Sequence, residues 1–284
     1  MDSDADIRRI VEYALAEDVG PGDVTSTAII PPSTHLRGVF LVKAPGVIAG
    51  LGVVGRVFAA VDEAIRYEPL VEEGTPVAPG DVVARVEGDG PGVLIAERVA
   101  LNFLQRMSGI ASRTRQYVEA VRGTRAQILD TRKTVPGLRT LDKMAVALGG
   151  GTNHRIGLFD MVLIKDNHIE AAGGITPAVR MVRERVEGLA IEVEVESLEQ
   201  FDEALGLGVD RIMLDNMDLD TMREAVRRRG KAPVEIEASG GITLDTVAGV
   251  AATGVDLISV GDLTHSVRAL DVSLDITLSM GGKR

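Results

Sequence analysis

The sequence predicts an α/β protein in which six strand–helix units follow a smaller α+β region. From about residue 127 onward, short β-branched runs alternate with longer segments of helical period, the pattern of parallel strands joined by crossover helices. Before that point, a helical segment and two strand-like runs are separated by glycine and proline turns. The 284 residues are enough for a barrel-sized domain and a smaller partner domain.

In the N-terminal region, a first helix is predicted over residues 4–17. Strands are predicted over Leu36–Lys43 and Val82–Glu87. A long helix over Gly92–Val121, with a break near Ser108–Gly109, would lead the chain into the strand–helix units.

Six strands are predicted after the long helix, each followed by a polar or glycine turn and a helix candidate. They are Gln127–Asp130, Met161–Ile164, Ile191–Glu196, Arg211–Asp215, Val234–Ala238 and Leu257–Val260. Six such units suggest a βα barrel, complete or incomplete. A doubly wound open sheet shows the same alternation, so the pattern alone leaves that alternative open.

Composition excludes several classes of function. The chain has no cysteine, which rules out disulfides, thiol catalysis, iron–sulfur clusters and cysteine-bound zinc. The longest uncharged apolar run, Ala44–Gly55, covers 12 residues, whereas a membrane helix needs roughly 20. The N-terminus lacks the basic start and apolar stretch of a secretory signal. We therefore expect a cytoplasmic protein that spans no membrane.

The charge is unevenly distributed. A formal net charge of −11 argues against non-specific nucleic-acid binding. Between Arg98 and Lys165, however, 12 Lys and Arg stand against 4 Asp and Glu. An acidic protein with one basic segment is expected to attract small anions there. For Arg113, Arg115, Arg122 and Arg125, solvated positions on helices are the preferred interpretation.

Polar side chains that can carry chemistry fall at the carboxyl ends of all six predicted strands. Active sites of βα barrels lie at these ends. The segments concerned are Asp130–Lys133, Lys165–His168, Glu194–Glu196, Asp215–Asn216, Ser239–Gly241 and Gly261.

The third predicted strand alternates strictly between hydrophobic and acidic residues. Val193 and Val195 would face the helices, so Glu192, Glu194 and Glu196 would point into the barrel. A buried carboxylate row needs cations, a metal ion or sugar hydroxyls as partners. The alternative is an edge strand whose glutamates lie in water. The apolar runs of the flanking strands make this alternative the weaker one.

Two glycine turns at consecutive strand ends suggest a phosphate site. Ser239–Gly240–Gly241, with Thr243 opening a helix, offers unhindered backbone N–H groups at a helix N-terminus. Gly261, followed by Thr264 and His265, could supply the other half. One such turn alone would more often be structural, whereas two together favour a ligand site.

Gly149–Gly151 follows a predicted helix that begins near Pro136. Its first glycine fits a helix C-cap, and the surplus glycines suggest a mobile or closely packed loop that presents His154 and Arg155 to an anion. His154 by itself could equally be a histidine of the core or one that supports other site residues.

Taken together, these segments resemble the quinolinate phosphoribosyltransferase family. The similarity runs in order through nearly the whole chain, at Glu17–Thr25, Glu97–Ala111, Asp130–Arg139, Gly149–Leu158, Leu163–His168, Glu192–Glu196, Leu214–Met217, Ala238–Ile242 and Val260–Ser266. No departure falls at a position expected to be catalytic.

The resemblance implies a fold and an assembly. It implies an N-terminal α+β open sandwich domain over residues 1–108, joined by the C-terminal segment 268–284, and an incomplete, TIM-like βα barrel over residues 109–267. It also implies a homodimer with shared active sites, in which one subunit's sandwich domain covers the other's barrel mouth, and it leaves higher oligomers open.

The resemblance further implies roles for individual residues. Lys133, Glu194 and Asp215 would be catalytic, with Lys133 near pyrophosphate and the two carboxylates on ribose hydroxyls and Mg²⁺, directly or indirectly. Arg98 would reach the partner subunit's active site. Arg132, His154, Arg155 and Lys165 would hold the two quinolinate carboxylates, and Thr131 would also contact substrate. Ser239, Gly240, Gly241, Gly261 and His265 would hold the 5-phosphate of phosphoribosyl pyrophosphate.

The implied reaction is transfer of the phosphoribosyl group of phosphoribosyl pyrophosphate to quinolinate with decarboxylation, without an organic cofactor. One alternative is a related phosphoribosyltransferase for another acid, such as nicotinate, or a paralogue acting in metal uptake. The cluster of cations better matches the two carboxylates of quinolinate than the one of nicotinate. A second alternative is a non-catalytic barrel that binds a phosphorylated metabolite, which would not need Glu194 and Asp215.

Overall fold

The computed structural model describes residues 3–31 and 34–278. In chain order its elements are α1 (Ser3–Val19), α2 (Val24–Ile29), β1 (His35–Val42), β2 (Gly46–Val47), α3 (Leu51–Val61), β3 (Arg66–Pro69), β4 (Pro76–Val77), β5 (Val82–Asp89), α4 (Gly90–Ala120), β6 (Gln127–Leu129), α5 (Arg139–Leu148), β7 (Val162–Ile164), α6 (Asp166–Ala172), α7 (Ile175–Arg185), β8 (Ile191–Val195), α8 (Leu198–Gly206), β9 (Arg211–Asp215), α9 (Leu219–Arg229), β10 (Glu235–Ser239), α10 (Leu244–Ala251), β11 (Leu257–Ser259), α11 (Asp262–His265) and β12 (Val272–Leu278).

The chain forms two compact units. The first contains the described residues within 1–115, 134–150 and 266–284, and the second contains residues 116–133 and 151–265. The boundary expected between residues 108 and 109 lies inside α4, and the contacts place α5 in the first unit. The domain limits implied by the resemblance stay a prediction.

The first unit is built on a four-stranded antiparallel sheet in the order β12-β1-β5-β3. Its core contains an aromatic cluster: Phe40 on β1 contacts Phe58 on α3 and Tyr67 on β3, with ring centroids 6.2 and 6.1 Å away. The pairing of β12 with β1 brings the described part of the C-terminal segment onto this sheet. Residues 279–284 of that segment lie outside the described residues.

The predicted break in the long helix is wrong, because α4 runs without interruption from Gly90 to Ala120. Ser108 and Gly109 mark close contacts instead. The Ser108 hydroxyl accepts a hydrogen bond from the Ala49 N–H at 2.9 Å. A Cβ on Gly109 would collide with the carbonyl oxygen of Arg268. The Ser-Gly pair therefore allows other backbone segments to approach the helix, and the helix does not end there.

The second unit is built on a six-stranded parallel sheet in the order β6-β11-β10-β9-β8-β7. From β7 to β11, each strand pairs with the next one in the chain, and the last strand, β11, pairs with the first, β6. Within the part of the chain that the structure describes, β6 and β7 do not pair. This is the strand order of a barrel open at one seam, whereas a doubly wound sheet places its first strand in the middle. The predicted fold class is confirmed, and all six predicted strands agree with the structure to within one residue at each end.

Candidate active site

The carboxyl ends of the six parallel strands of the second unit lie at one edge of the sheet, and several predicted site residues lie at or directly after these ends. Lys133 follows β6, Lys165 follows β7, Asp215 ends β9 and Ser239 ends β10. His154 and Arg155 lie in the segment between α5 and β7 instead, and Arg98 lies exposed on α4 in the first unit. Because carboxyl ends of parallel strands share one edge, residues far apart in sequence form one candidate site.

An ion pair joins two of these residues on neighbouring strands. Lys165, which precedes α6, places its Nζ 2.5 Å from Oε2 of Glu194 on β8. The prediction for β8 is correct in part: Val193 and Val195 are buried, and Glu192 and Glu194 are also withdrawn from solvent. Glu196, which was expected to point into the barrel as well, follows the strand and is exposed. Strand β8 lies between β7 and β9, so the alternative of an exposed edge strand is wrong.

Two arginines of the site repel one another electrostatically. Arg155 is half-buried and its Nη1 donates to the Met161 carbonyl oxygen at 3.3 Å. Burial and the neighbouring positive charge of Arg132 lower the pKa of the Arg155 guanidinium. Like charges held together in a partly buried place favour binding of an anion, which would relieve their repulsion.

Beneath the site lies a buried ion cluster, formed by His154, Glu192, Arg211 and Glu237. His154 Nε2 lies 3.1 Å from Glu192 Oε2 and 3.4 Å from Glu237 Oε2. Arg211 Nη1 lies 3.2 Å from the same Glu237 oxygen, and the Ser259 hydroxyl donates to the other at 2.5 Å. Both carboxylates are fully buried, so their charges depend on these partners.

The cluster changes the acidity of its members. Burial alone would lower the pKa of His154, but Glu192 and Glu237 outweigh it and raise the pKa to about 9. Burial and the charge of Glu237 raise the pKa of Glu192. Burial opposes ionisation of Glu237 too, yet contacts with His154, Ser259 and Arg211 lower its pKa. At neutral pH the imidazole is therefore a cation between two acidic groups.

By ligand type, His154, Glu192 and Glu237 could also hold a metal ion, since one ligand atom from each lies within 4.8 Å of the others. The positive charges of His154 and Arg211 already face these carboxylates, however. A divalent cation could bind only if His154 lost its proton, and the positive charge of Arg211 would repel the cation. We therefore interpret the cluster as structural.

The loop before His154 is held by buried hydrogen bonds. The Asp130 carboxylate accepts from the His154 N–H at 2.8 Å, and His154 Nδ1 accepts from the Arg155 N–H at 2.7 Å. The imidazole is thus directed into the barrel, which favours the alternative that His154 supports other site residues. Its role in binding a quinolinate carboxylate stays a prediction.

Asp215 and the turn after β10 lie side by side. Asp215 pairs in register with Ser239, and Asn216 Nδ2 donates to Asp215 Oδ2 at 2.9 Å. Gly240 and Gly241 have φ values of 94° and 60°, a conformation that disfavours side chains, and α10 follows them. The turn expected to bind phosphate therefore adjoins a carboxylate expected to bind ribose.

Lys133 and His265 both lie close to Gly261. A Cβ on Gly261 would lie 2.9 Å from His265 Cδ2 and 3.4 Å from Lys133 Cδ. The Thr264 hydroxyl donates to the Lys133 carbonyl oxygen at 2.9 Å, and the Thr131 hydroxyl accepts from the Lys133 N–H at 3.0 Å. The loops after β6 and β11 are thereby joined around the glycine.

Sequence reasoning missed Arg211 and Glu237 as parts of the site's support. Strand β10 carries Glu235 and Glu237 in alternation with hydrophobic residues, the same signal that identified β8. That signal could have predicted Glu237 as an inward-facing carboxylate. Its partners could not be predicted, because they come from other strands.

Among the residues that the structure describes, no helix is long and apolar enough to cross a membrane.

Comparison with known proteins gives consistent matches over most of the chain. A family model described as quinolinate phosphoribosyl transferase, N-terminal domain, matches residues 23–108, and the corresponding C-terminal domain model matches residues 110–275. The carboxylating nicotinate-nucleotide pyrophosphorylase of Mycobacterium leprae is 47% identical over 95% of this chain and 96% of its own length.

Two further relatives agree. The decarboxylating quinolinate phosphoribosyltransferase 2b of Nicotiana tabacum, named as mitochondrial, is 45% identical and covers 95% of this chain and 82% of its own. The solved structure of the nicotinate-nucleotide pyrophosphorylase from Francisella tularensis superposes with a TM-score of 0.93, at 35% identity over 98% of both chains.

Proposed function

This chain belongs to the quinolinate phosphoribosyltransferase family, and from that membership we propose that it is the decarboxylating quinolinate phosphoribosyltransferase of NAD biosynthesis. It transfers the phosphoribosyl group of phosphoribosyl pyrophosphate to the quinolinate nitrogen. The products are nicotinate mononucleotide, carbon dioxide and pyrophosphate.

The observation that carries this proposal is the group of cations at the strand ends. Arg132 is close enough to lower the pKa of Arg155, and Lys165 directly follows β7. Three cations fit a substrate with two carboxylates, and the planar guanidinium groups can each bind a carboxylate through two hydrogen bonds.

Glu194, Asp215 and Lys133 are the residues proposed to act in the first chemical step. The bond between ribose C1 and the pyrophosphate oxygen breaks while quinolinate nitrogen bonds to C1, so positive charge develops on the ribose and negative charge on the leaving group. Glu194 and Asp215 would stabilise the ribose, and Lys133 the pyrophosphate. Fixed charges that match these developing charges lower the barrier without reorganisation.

The donor atoms of Glu194 and Asp215 suit a Mg²⁺ ion held together with substrate. Both are hard carboxylate oxygens, but Lys165 already contacts one oxygen of Glu194 and Asn216 contacts one of Asp215. Because one oxygen of each carboxylate already has a protein partner, the two residues fit a Mg²⁺ ion whose other ligands would be diphosphate oxygens and water. They do not fit an ion whose ligands all come from the protein. When bound, Mg²⁺ would neutralise charge on the diphosphate.

The second step requires no further cofactor. Once ribosylated, the pyridine ring carries a positive charge that stabilises the electron pair left on the ring carbon when carbon dioxide departs. That carbon then takes a proton. Arg132, Arg155 and Lys165 would hold the remaining carboxylate so that the ring keeps its position between the steps.

We also propose a homodimer in the cytoplasm in which Arg98 of each subunit enters the partner's site. Its support is the position of Arg98 outside the second unit, and an exposed apolar loop after Arg155, where Leu158 and Phe159 are 75% and 60% exposed. Exposed apolar residues of this size favour burial by another protein surface.

The proposed function is tested by product formation from purified protein, Mg²⁺ and phosphoribosyl pyrophosphate, with quinolinate or nicotinate as acceptor. Mononucleotide and carbon dioxide should form in equal amounts, and only with quinolinate. Activity with nicotinate alone would support the alternative acceptor. Neither activity, together with unchanged ligand affinity in Glu194→Gln, would support a non-catalytic metabolite-binding barrel.

A further inference from the structure

Asn216 has an unusual backbone conformation at the edge of the candidate active site. Its φ is 52°, and no other non-glycine residue in the described part of the chain has a positive φ. Side chains in this region are disfavoured, although asparagine tolerates it better than most. Strain of this kind persists where surrounding contacts enforce it.

Three contacts hold Asn216 between the ends of β9 and β10. Its Nδ2 donates to Asp215 Oδ2 at 2.9 Å, and its backbone N–H donates to the Ser239 carbonyl oxygen at 3.0 Å. Its side-chain amide also occupies the place where a Cβ on Gly240 would lie. One residue thus contacts both the carboxylate and the glycine turn.

We propose that Asn216 is a positioning residue that fixes the Asp215 carboxylate relative to the turn of Ser239, Gly240 and Gly241. This inference rests on the proposed function, in which Asp215 binds ribose hydroxyls and the turn binds the 5-phosphate. The hydroxyls and the phosphate belong to one small molecule, so the two subsites must keep a fixed separation. Small errors in such placement reduce binding and rate strongly.

The chemistry of asparagine fits both requirements. Aspartate would tolerate the positive φ but would set a second negative charge beside Asp215 and remove the donor. Glycine would adopt the φ without strain but would lack the side chain. Asparagine supplies a neutral donor in a backbone conformation that larger residues disfavour.

The test uses ribose 5-phosphate, which carries the hydroxyls and the phosphate but cannot react. In Asn216→Gly, calorimetry should show about tenfold weaker ribose 5-phosphate binding, the size expected for a lost hydrogen bond to a charged group. The KM for phosphoribosyl pyrophosphate should rise similarly, while the affinity for quinolinate alone should stay within about twofold. Unchanged ribose 5-phosphate affinity, or equal loss for both ligands with a lowered Tm, would overturn the inference.

A second variant approaches the same contact from Gly240. Gly240→Ala would push the Asn216 amide away and should reproduce the ribose 5-phosphate effect. The matched control is Gly208→Ala, which also places a Cβ at a positive φ, 61°, but has nothing within 4 Å. If the effect passes through Asn216, adding Gly240→Ala to Asn216→Gly should weaken binding little further. Independent, multiplicative losses would contradict the coupling.

These experiments separate the inference from the function on which it rests. A wild-type protein that binds ribose 5-phosphate but forms no mononucleotide would refute the proposed function. An active wild-type protein whose Asn216→Gly variant binds ribose 5-phosphate normally would refute only the role of Asn216.

Discussion

Lys165 Nζ lies 2.5 Å from Glu194 Oε2, so one ion pair joins a residue predicted to bind quinolinate to a residue predicted to bind ribose and Mg²⁺. Each group is partly neutralised by the other. In the proposed function, ligands at the two subsites would share or exchange this contact, which would link quinolinate binding to phosphoribosyl pyrophosphate binding.

Replacing Glu194 with Gln should therefore strengthen quinolinate binding but lower turnover. Lys165 would keep its charge and lose its partner, so quinolinate alone should bind about two- to fivefold more tightly, as expected for a partly exposed ion pair. Turnover should fall about 100-fold, because the charge proposed to stabilise the ribose is lost. Calorimetry with quinolinate and steady-state kinetics measure the two effects.

Glu196→Gln is the control for this prediction. Glu196 follows β8 and belongs to the same acidic row, but it is exposed and contacts the Gln200 side chain through its backbone N–H. Quinolinate affinity should not change in this variant. Weaker quinolinate binding in Glu194→Gln would contradict the prediction. It would show that the ion pair of Lys165 with Glu194 helps Lys165 to bind quinolinate and does not compete with quinolinate for Lys165.

The buried ion cluster should matter for stability. Glu237→Gln would leave His154 and Arg211 facing an uncharged amide in a buried place, which should cost about 3 kcal/mol of unfolding free energy. Glu235→Gln is a matched control, since Glu235 also pairs with Arg211 but its side chain is 54% exposed. Urea unfolding should show a much smaller loss for Glu235→Gln, and equal losses would contradict the structural role of the cluster.

The raised pKa of His154 predicts how stability depends on pH. Because the folded pKa, about 9, lies above the unfolded value near 6.5, the stabilisation from the charged imidazole is complete below about pH 6.5. It is lost as the pH rises through 9. The maximum contribution is on the order of 3 kcal/mol.

His154→Gln isolates this contribution. The difference in unfolding free energy between wild type and variant should be large at pH 6 and should shrink by pH 10. His35→Gln removes an exposed histidine of the first unit, and the stability of this variant should depend on pH as that of the wild type does. A wild-type minus His154→Gln difference that is constant with pH would mean that His154 is not charged in the fold.

The strands of the barrel could be predicted from sequence because their signal is local. Strand β8 shows a two-residue period and β9 is a short apolar run, and both bounds agree within one residue. The choice between barrel and open sheet was not predictable in this way. It depends on β11 pairing with β6, a contact between segments more than 100 residues apart.

Errors arose where a local signal had a tertiary cause. Ser108 and Gly109 are weak helix formers, yet they lie in an unbroken helix because Ala49 and Arg268 approach them. For His154 the sequence left open both an anion ligand and a histidine that supports other residues, and the contacts with Glu192 and Glu237 favour the second. Residue type predicted the strand ends of the site, but partners across strands could not be derived from sequence spacing.

Gly261 should be sensitive to the smallest substitution. In Gly261→Ala the new Cβ would lie 2.9 Å from His265 Cδ2 and would displace the His265 side chain. We expect a loss of about 10- to 100-fold in kcat/KM for phosphoribosyl pyrophosphate, because misplaced groups contribute little to catalysis. Gly206→Ala, in α8 with nothing within 4 Å, is the control and should keep full activity and stability. Wild-type kinetics in Gly261→Ala would show that the position of His265 does not matter for the reaction.

Arg98 provides a test of shared active sites. If Arg98 acts in the partner's site, an inactive Arg98→Ala subunit and an inactive Lys165→Ala subunit should form hybrid dimers with one complete site. Random mixing should then restore roughly a quarter of wild-type activity, because half of the dimers are hybrids and each has one working site. Subunit exchange is verified by mass spectrometry of differently tagged chains.

Arg132→Ala mixed with Lys165→Ala is the control, since both residues belong to the second unit of one chain and each hybrid site would lack one of them. No recovery with Arg98→Ala, despite proven exchange, would place Arg98 in its own subunit's site or outside any site.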